Sequence, residues 1–139
     1  MKNSGQVKGG FTLVEAIVSL VIFGICIGAF CELTVLLRQT SDKARDHYVA
    51  VNIAKNRLER ARNYDFDALN GFTESQMVVD NSGNSSLGGD FRRSTSISTV
   101  STNLKQVAVS VEIRDRITRR FGGESETATS YVPKYTTHP

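Results

Sequence analysis

Glu15 is the side chain whose position most needs a chemical explanation, because this carboxylate lies near the start of a long apolar stretch. Residues 11–37 contain only one other charged side chain, Glu32. Insertion scales put the cost of Asp, Lys or Arg at the centre of a membrane helix at about 2.5–3.5 kcal/mol. A helix N-terminus stabilises an acid by only about 0.3–1 kcal/mol. Glu15 is therefore a functional candidate that needs a cationic partner, whereas the carboxylate of Glu32 can reach the far membrane interface.

Residues that could carry out catalysis are few and poorly spaced. His47 has no second histidine one helical turn away, and His138 is the penultimate residue. Cys26 and Cys31 both lie in the apolar run, where a spacing of five turns their side chains about 140° apart on a helix, too far to bridge. Phosphate-binding loops and nucleophile elbows are missing from the sequence. We therefore expect no enzyme activity, no cofactor and no catalytic residue.

The 139-residue chain has room for one domain at most, and its net charge of +3 is too small to indicate a nucleic-acid-binding protein. Its apolar run of 27 residues would form a helix about 40 Å long, enough to cross a hydrocarbon core of about 30 Å. A short basic leader, residues 1–10, precedes the run. A secretory signal would have a shorter apolar stretch and a small-residue cleavage site after it, and neither is present. We expect this helix to remain in the mature protein.

The junction between the leader and the apolar run carries a specific combination of residues. Gly10 and Phe11 are followed by Thr12-Leu13, by Glu15 and then directly by the membrane-length helix. The segment from Lys8 to Ala16 resembles the prepilin processing site of the type IV pilin-like superfamily, which includes minor pilins and type II secretion pseudopilins.

This resemblance implies cleavage between Gly10 and Phe11 by a prepilin peptidase, followed by methylation of the Phe11 amine. A glycine before the cut lets the backbone enter a narrow cleft without a side-chain clash. The resemblance also gives Glu15 its partner in subunit assembly, since the Phe11 amine stays cationic after methylation. Gly24 and Gly28 have the spacing that permits close helix packing in a membrane, although this spacing also occurs by chance.

The polar part of the chain predicts an α+β fold. No Gly or Pro interrupts residues 38–63, so the helix is expected to continue to about Asn63 as an amphipathic segment. Its predicted apolar stripe consists of Ala44, Tyr48, Val51, Ala54, Leu58 and Ala61. Alternating patterns predict about three antiparallel strands near residues 91–97, 107–113 and 127–135. The expected parts are a cleaved leader (1–10), a transmembrane or filament-core helix (11–37), an amphipathic continuation (38–63) and a small β-rich head (64–139).

Charged clusters in the head suggest two further kinds of site. Four arginines share one predicted loop: Arg114, Arg116, Arg119 and Arg120. Neighbouring acids dilute their charge, so we expect a solvated face and no nucleic-acid partner, with DNA contact as the alternative. Asp65, Asp67 and the 80–90 loop could chelate Ca²⁺, but they lack EF-hand spacing, and we expect no metal.

The predicted function is a structural subunit of a type IV pilus-like filament, a minor pilin or pseudopilin rather than the bulk subunit. The resemblance implies as partners the prepilin peptidase, other pilin or pseudopilin subunits, a membrane assembly platform with its ATPase, and membrane lipid. It also implies a single pass through the inner membrane, with the leader in the cytoplasm and the head outside, before entry into a periplasmic or surface filament. The alternatives are a competence-type pilin that contacts DNA and a membrane-tethered binding module that does not polymerise.

Overall fold

The computed structural model describes residues 12–134, so the leader, Gly10, Phe11 and His138 lie outside the described residues. One long helix, α1 (Leu13–Arg62), is followed by a short 3-10 helix, Leu69–Phe72. Four strands come next: β1 (Glu74–Val79), β2 (Phe91–Ser101), β3 (Leu104–Ile113) and β4 (Ser125–Pro133). This arrangement confirms the predicted α+β class. The chain divides into two structural units, Met1–Ser41 and Asp42–Pro139.

In the first unit, three hydroxyl groups of the helix are hydrogen-bonded by the helix itself. Ser19 Oγ donates to the Glu15 carbonyl oxygen at 2.8 Å, and Thr34 Oγ1 donates to that of Phe30 at 2.9 Å. Thr40 Oγ1 makes the same kind of bond to the Leu36 carbonyl oxygen at 3.0 Å. Each hydroxyl bonds the carbonyl four residues earlier, a pattern that needs no outside partner. These polar side chains are therefore compatible with an apolar environment.

The second unit is a four-stranded antiparallel sheet covered on one face by the end of α1. The strand order is β1-β2-β3-β4, and each strand pairs with its neighbour in sequence. Val107, Val109 and Val111 point to the covered face and are fully buried, as their alternation predicts. The rest of the core consists of Ala50, Ile53, Ala54, Leu58, Ala61, Leu69, Val79, Phe91, Ile113 and Val132.

The predicted apolar stripe was right at its C-terminal end and wrong at its start. Ala54 and Ala61 are fully buried, but Tyr48 is 69% exposed and Ala44 is also exposed. At 100° per residue, Tyr48 lies about 120° around the helix from Ala54, outside the face that meets the sheet. The buried face passes through Ala50 instead.

The sheet has four strands rather than the predicted three or so, because β1 has no regular alternation to reveal it. The register between β1 and β2 shifts between Glu74 and Met77, and Gln76 adopts φ +51°. Such a bulge moves successive side chains off the two-residue period. β1 is held by pairing at its end, where Val79 lies opposite Phe91.

Candidate functional site

The helix that follows the predicted processing site begins with a cap supplied by Thr12. The backbone N–H of Glu15 donates to Thr12 Oγ1 at 3.3 Å, and the N–H of Ala16 donates to the Thr12 carbonyl oxygen at 3.1 Å. The first N–H groups of a helix have no partner within the helix, and lipid offers none. Thr12 therefore lets α1 begin at Leu13, inside an apolar segment, with Glu15 in its first turn.

The carboxylate of Glu15 is exposed and has no cationic partner within residues 12–134. Along the described helix, the first residue to form an ion pair is Asp42, which pairs with Arg116. Gly10 and Phe11, the other predicted site residues, lie outside the described residues. The pairing of Glu15 with the Phe11 amine therefore stays a prediction.

The surface that surrounds Glu15 is almost entirely apolar and unburied. Leu13, Leu20 and Phe30 are 79%, 73% and 70% exposed. An 18-residue window of α1 has a mean hydropathy of 2.5, and none of it is buried within the protein. By length and composition this helix could cross a membrane. A continuous apolar surface of this size is expected to be covered by lipid or by another protein.

The glycine pair of the apolar helix lies on open surface. A Cβ atom added at Gly24 or at Gly28 would meet no other atom within 4 Å. Cys26 and Cys31 are both free and exposed. The glycines are thus available to a neighbouring helix.

Two of the four arginines in the β3–β4 loop, Arg116 and Arg119, pair with acids on an exposed face. Arg116 contacts Asp46 through Nε at 2.9 Å and Nη2 at 2.8 Å, and it reaches Asp42 through Nη1 at 3.2 Å. Arg119 lies 3.6 Å from Asp90. Because carboxylates neutralise much of this charge, the geometry gives little support to an extended DNA-binding surface.

A second arginine cluster, which the sequence analysis missed, is buried beneath β1. Arg93 Nε and Nη2 donate to the two carboxylate oxygens of Glu74 at 2.7 and 3.1 Å, and Arg57 Nη2 lies 3.5 Å from Glu74. Arg57 also stacks 3.5 Å above the Phe72 ring. Burial opposes ionisation of Glu74, but hydrogen bonds from Arg93 and the charges of both arginines hold its pKa below the usual value. The sequence did contain a signal for this cluster: Arg57 lies one helical turn from Ala54 on the buried stripe, where an arginine needs an acidic partner.

His47 belongs to a charged cluster that the sequence analysis did not identify. Its Nδ1 lies 2.7 Å from Glu126 Oε1, and its Nε2 lies 3.2 Å from Glu124 Oε2. Lys43 Nζ also donates to Glu124, at 3.2 Å. The hydrogen bond with Glu126 raises the pKa of His47, partial burial opposes the rise, and Glu124 adds to it. The cluster ties α1 to the start of β4.

The candidate calcium ligands are engaged by the protein. Asp67 binds Lys134 Nζ through both carboxylate oxygens, at 2.9 and 3.1 Å. Asp80 Oδ1 accepts from the backbone N–H groups of Ser82 and Asn84. Residues 12–134 contain no group of three or more His, Cys, Asp or Glu side chains that could hold a metal ion.

The comparison with protein-family models identifies the N-terminal segment. Residues 6–30 match the prokaryotic N-terminal methylation motif, which confirms the resemblance carried by Gly10, Phe11 and Glu15. No curated protein and no solved structure matches the chain. Proteins with this motif are structural rather than enzymatic, and the motif implies processing by prepilin peptidase and assembly with other pilins. Over residues 6–30, therefore, the chain carries the prepilin signature of type IV pilin-like proteins.

Proposed function

We propose that this protein is a minor pilin or pseudopilin precursor whose N-terminal helix first anchors it in the inner membrane and then packs inside a filament. The observation that carries the proposal is the wholly unburied apolar part of α1, most of which lies within the methylation motif at residues 6–30. A helix of this kind needs an apolar environment in both states. Lipid supplies it before assembly, and neighbouring subunits supply it afterwards.

Processing creates the positive charge that assembly uses. Hydrolysis of the Gly10–Phe11 peptide bond by the prepilin peptidase releases the leader with its lysines and leaves a free amine on Phe11. Methylation keeps that amine cationic. The leader lies on the cytoplasmic side and the head on the opposite side of the membrane.

Glu15 aligns each incoming subunit by pairing with the Phe11 amine of a neighbour. Two opposite charges attract far more strongly in hydrocarbon than in water, and leaving one of them unpaired there is costly. Thr12 and the first turn of α1 fix the backbone of Glu15, so its carboxylate lies at a defined depth. Gly24 and Gly28 provide a second contact, where helices approach closely. A membrane platform and its ATPase drive the movement of subunits from membrane to filament.

The first test is the mass of the mature N-terminus. The protein recovered from cells that hold the prepilin peptidase should begin at Phe11 and carry one added methyl group. An intact Met1 leader would instead identify a membrane-tethered module that does not polymerise.

The second test compares two carboxylates of the same helix. Glu15→Gln should still insert into the membrane but lose incorporation into filaments sheared from cells or trapped by crosslinking. Glu32→Gln is the matched control, with the same chemical change near the far membrane interface, and it should incorporate normally. Equal incorporation of the two variants would remove the proposed role of Glu15.

A further inference from the structure

A cleft of about 370 Å³ opens in the unit Asp42–Pro139, between α1 and two loops of the head. One loop precedes β2 and the other follows β3. The charged side chains that line the cleft are Arg45, Arg114, Arg116, Arg119, Asp46 and Asp90. Positive groups thus outnumber negative ones by four to two.

The ion pairs at the cleft leave two guanidinium groups uncompensated. Asp46 is occupied by Arg116, which binds both of its oxygens. Asp90 lies 3.6 Å from Arg119, a looser pair. Arg45 and Arg114 have no carboxylate partner among residues 12–134. The cleft therefore has a local excess of positive charge that an anion would neutralise.

The Arg114 side chain is held in place without using the hydrogen-bond donors of its guanidinium group. Its guanidinium carbon lies 4.6 Å from the centre of the Phe121 ring, and its Nε is buried with no acceptor in the described part of the chain. A ring face attracts the guanidinium plane but takes no in-plane N–H bond. The planar fork of arginine fits the oxygens of a phosphate group.

The turn that carries Arg116 and Arg119 is held in one conformation by its own hydrogen bonds. Asp115 Oδ1 accepts from the N–H groups of Ile117 and Thr118, at 2.9 and 2.6 Å, and from the Thr118 hydroxyl at 3.0 Å. The N–H of Arg119 donates to the Asp115 carbonyl oxygen, and Arg119 adopts φ +57°. Residues other than glycine rarely adopt this left-handed backbone conformation. A turn fixed in this way loses little conformational freedom when a ligand binds.

We propose that this cleft is a binding site for a phosphate group, presented by a free phosphate ion or by a lipid headgroup. Arg45 and Arg114 bind the phosphate oxygens, while Arg116 stays paired with Asp46. The carboxylates of Asp46 and Asp90 favour a single compact anion over an extended polyanion such as DNA, because they repel the further phosphates of a strand.

Binding is measured by calorimetry on the full-length protein in neutral detergent, titrated with sodium phosphate at constant ionic strength. Arg45→Gln and Arg114→Gln should each weaken phosphate affinity about tenfold, the scale of one charge-assisted hydrogen bond. Arg120→Gln is the matched control, since it removes the same charge from the same loop but does not line the cleft. It should bind as the unaltered protein does.

The two sources of the phosphate group are separated by hydrogen exchange of residues 114–120. If inorganic phosphate in detergent protects the backbone amides of residues 114–120 from exchange, the ligand is a free phosphate ion. If these amides are protected only in phosphatidylglycerol nanodiscs, and the protection is lost in Arg45→Gln, the ligand is a lipid headgroup. The proposal is overturned by three outcomes: no protection from either source, equal weakening of binding by Arg120→Gln, or DNA binding that inorganic phosphate does not displace.

Discussion

Arg93 of β2 and Glu74 of β1 face each other inside the head and bond at two points, with N–O distances of 2.7 and 3.1 Å. The same arginine donates through Nη1 to the carbonyl oxygen of Gly83 at 2.9 Å. One buried side chain thus holds both β1 and the loop that follows it. This edge of the sheet therefore depends on a buried ion pair as well as on the apolar packing of Val79.

Removing the carboxylate of this pair should destabilise the head severely. Glu74→Gln leaves Arg93 and Arg57 buried without a countercharge, a loss typically of about 3–5 kcal/mol in the free energy of unfolding. Denaturant unfolding, followed by a signal from the head, measures the change. Glu59→Gln serves as the control, because Glu59 forms an exposed pair with Arg62 that is worth about 0–1 kcal/mol. A similar small loss for both variants would contradict the importance of the buried pair.

Stability of the head should be greatest in mildly acidic solution. The raised pKa of His47 means that its contacts with Glu124 and Glu126 stabilise the fold fully below pH 6.5, its ordinary pKa, and that this stabilisation is lost as the pH rises through the raised value. The pKa of Glu124 is lowered, first by its hydrogen bond from Lys43, so its stabilisation is full above pH 4.5 and is lost as the pH falls through the lowered value. A melting temperature highest between these limits is expected.

The control for this pH dependence is His47→Gln, which keeps a polar side chain but does not titrate. The melting temperature of this variant should no longer fall as the pH rises above 6.5, but it should still fall as the pH drops below 4.5. A neutral-side decline of the same size in this variant would show that another group causes it.

Substitution by alanine should destabilise the head at one of two adjacent glycines and have little effect at the other. A Cβ at Gly89 would overlap the carbonyl group of Val79, whereas a Cβ at Gly88 meets nothing within 4 Å. Gly89→Ala should therefore force a backbone shift and destabilise the head by about 1–3 kcal/mol, as overpacking does. Gly88→Ala should change the unfolding free energy little. Thermal unfolding of the two variants side by side decides the matter, and equal melting temperatures would refute the close approach.

The corrected helix face can be tested with a pair of alanines. Ala54 is fully buried against the sheet and Ala44 is exposed, although both belong to the apolar stripe that the sequence predicts. Ala54→Leu should cost about 1–3 kcal/mol of stability through overpacking, and Ala44→Leu should cost almost nothing. Chemical denaturation provides the comparison. Destabilisation by Ala44→Leu instead would restore the predicted stripe.

The features that sequence predicted well are those set by neighbours along the chain. The long helix follows from an uninterrupted helical period, and β3 follows from the alternation that ends at Ile113. The methylation motif is likewise local, since its residues lie within one short segment. Local patterns of this kind need no knowledge of the tertiary fold.

The features that sequence missed depend on residues far apart in the chain. His47 meets Glu126, and Arg116 meets Asp46, across about 70 to 80 positions. Neither pair leaves a periodic signal, because each is created by the way α1 packs against the β3–β4 loop. β1 was missed because its bulge at Gln76 breaks the alternation that marks a strand.

The hydroxyl groups of Thr12 and Ser19 both turn back onto the backbone around Glu15. From Leu13 to Phe30, the carboxylate of Glu15 is therefore the one charged group on the otherwise apolar outward surface of α1. A second helix that slides along this surface meets almost the same attraction at every depth except at that carboxylate. In the filament proposed above, Glu15 would therefore set the vertical alignment between subunits, and the apolar surface on either side of it would only have to fit the neighbouring helix.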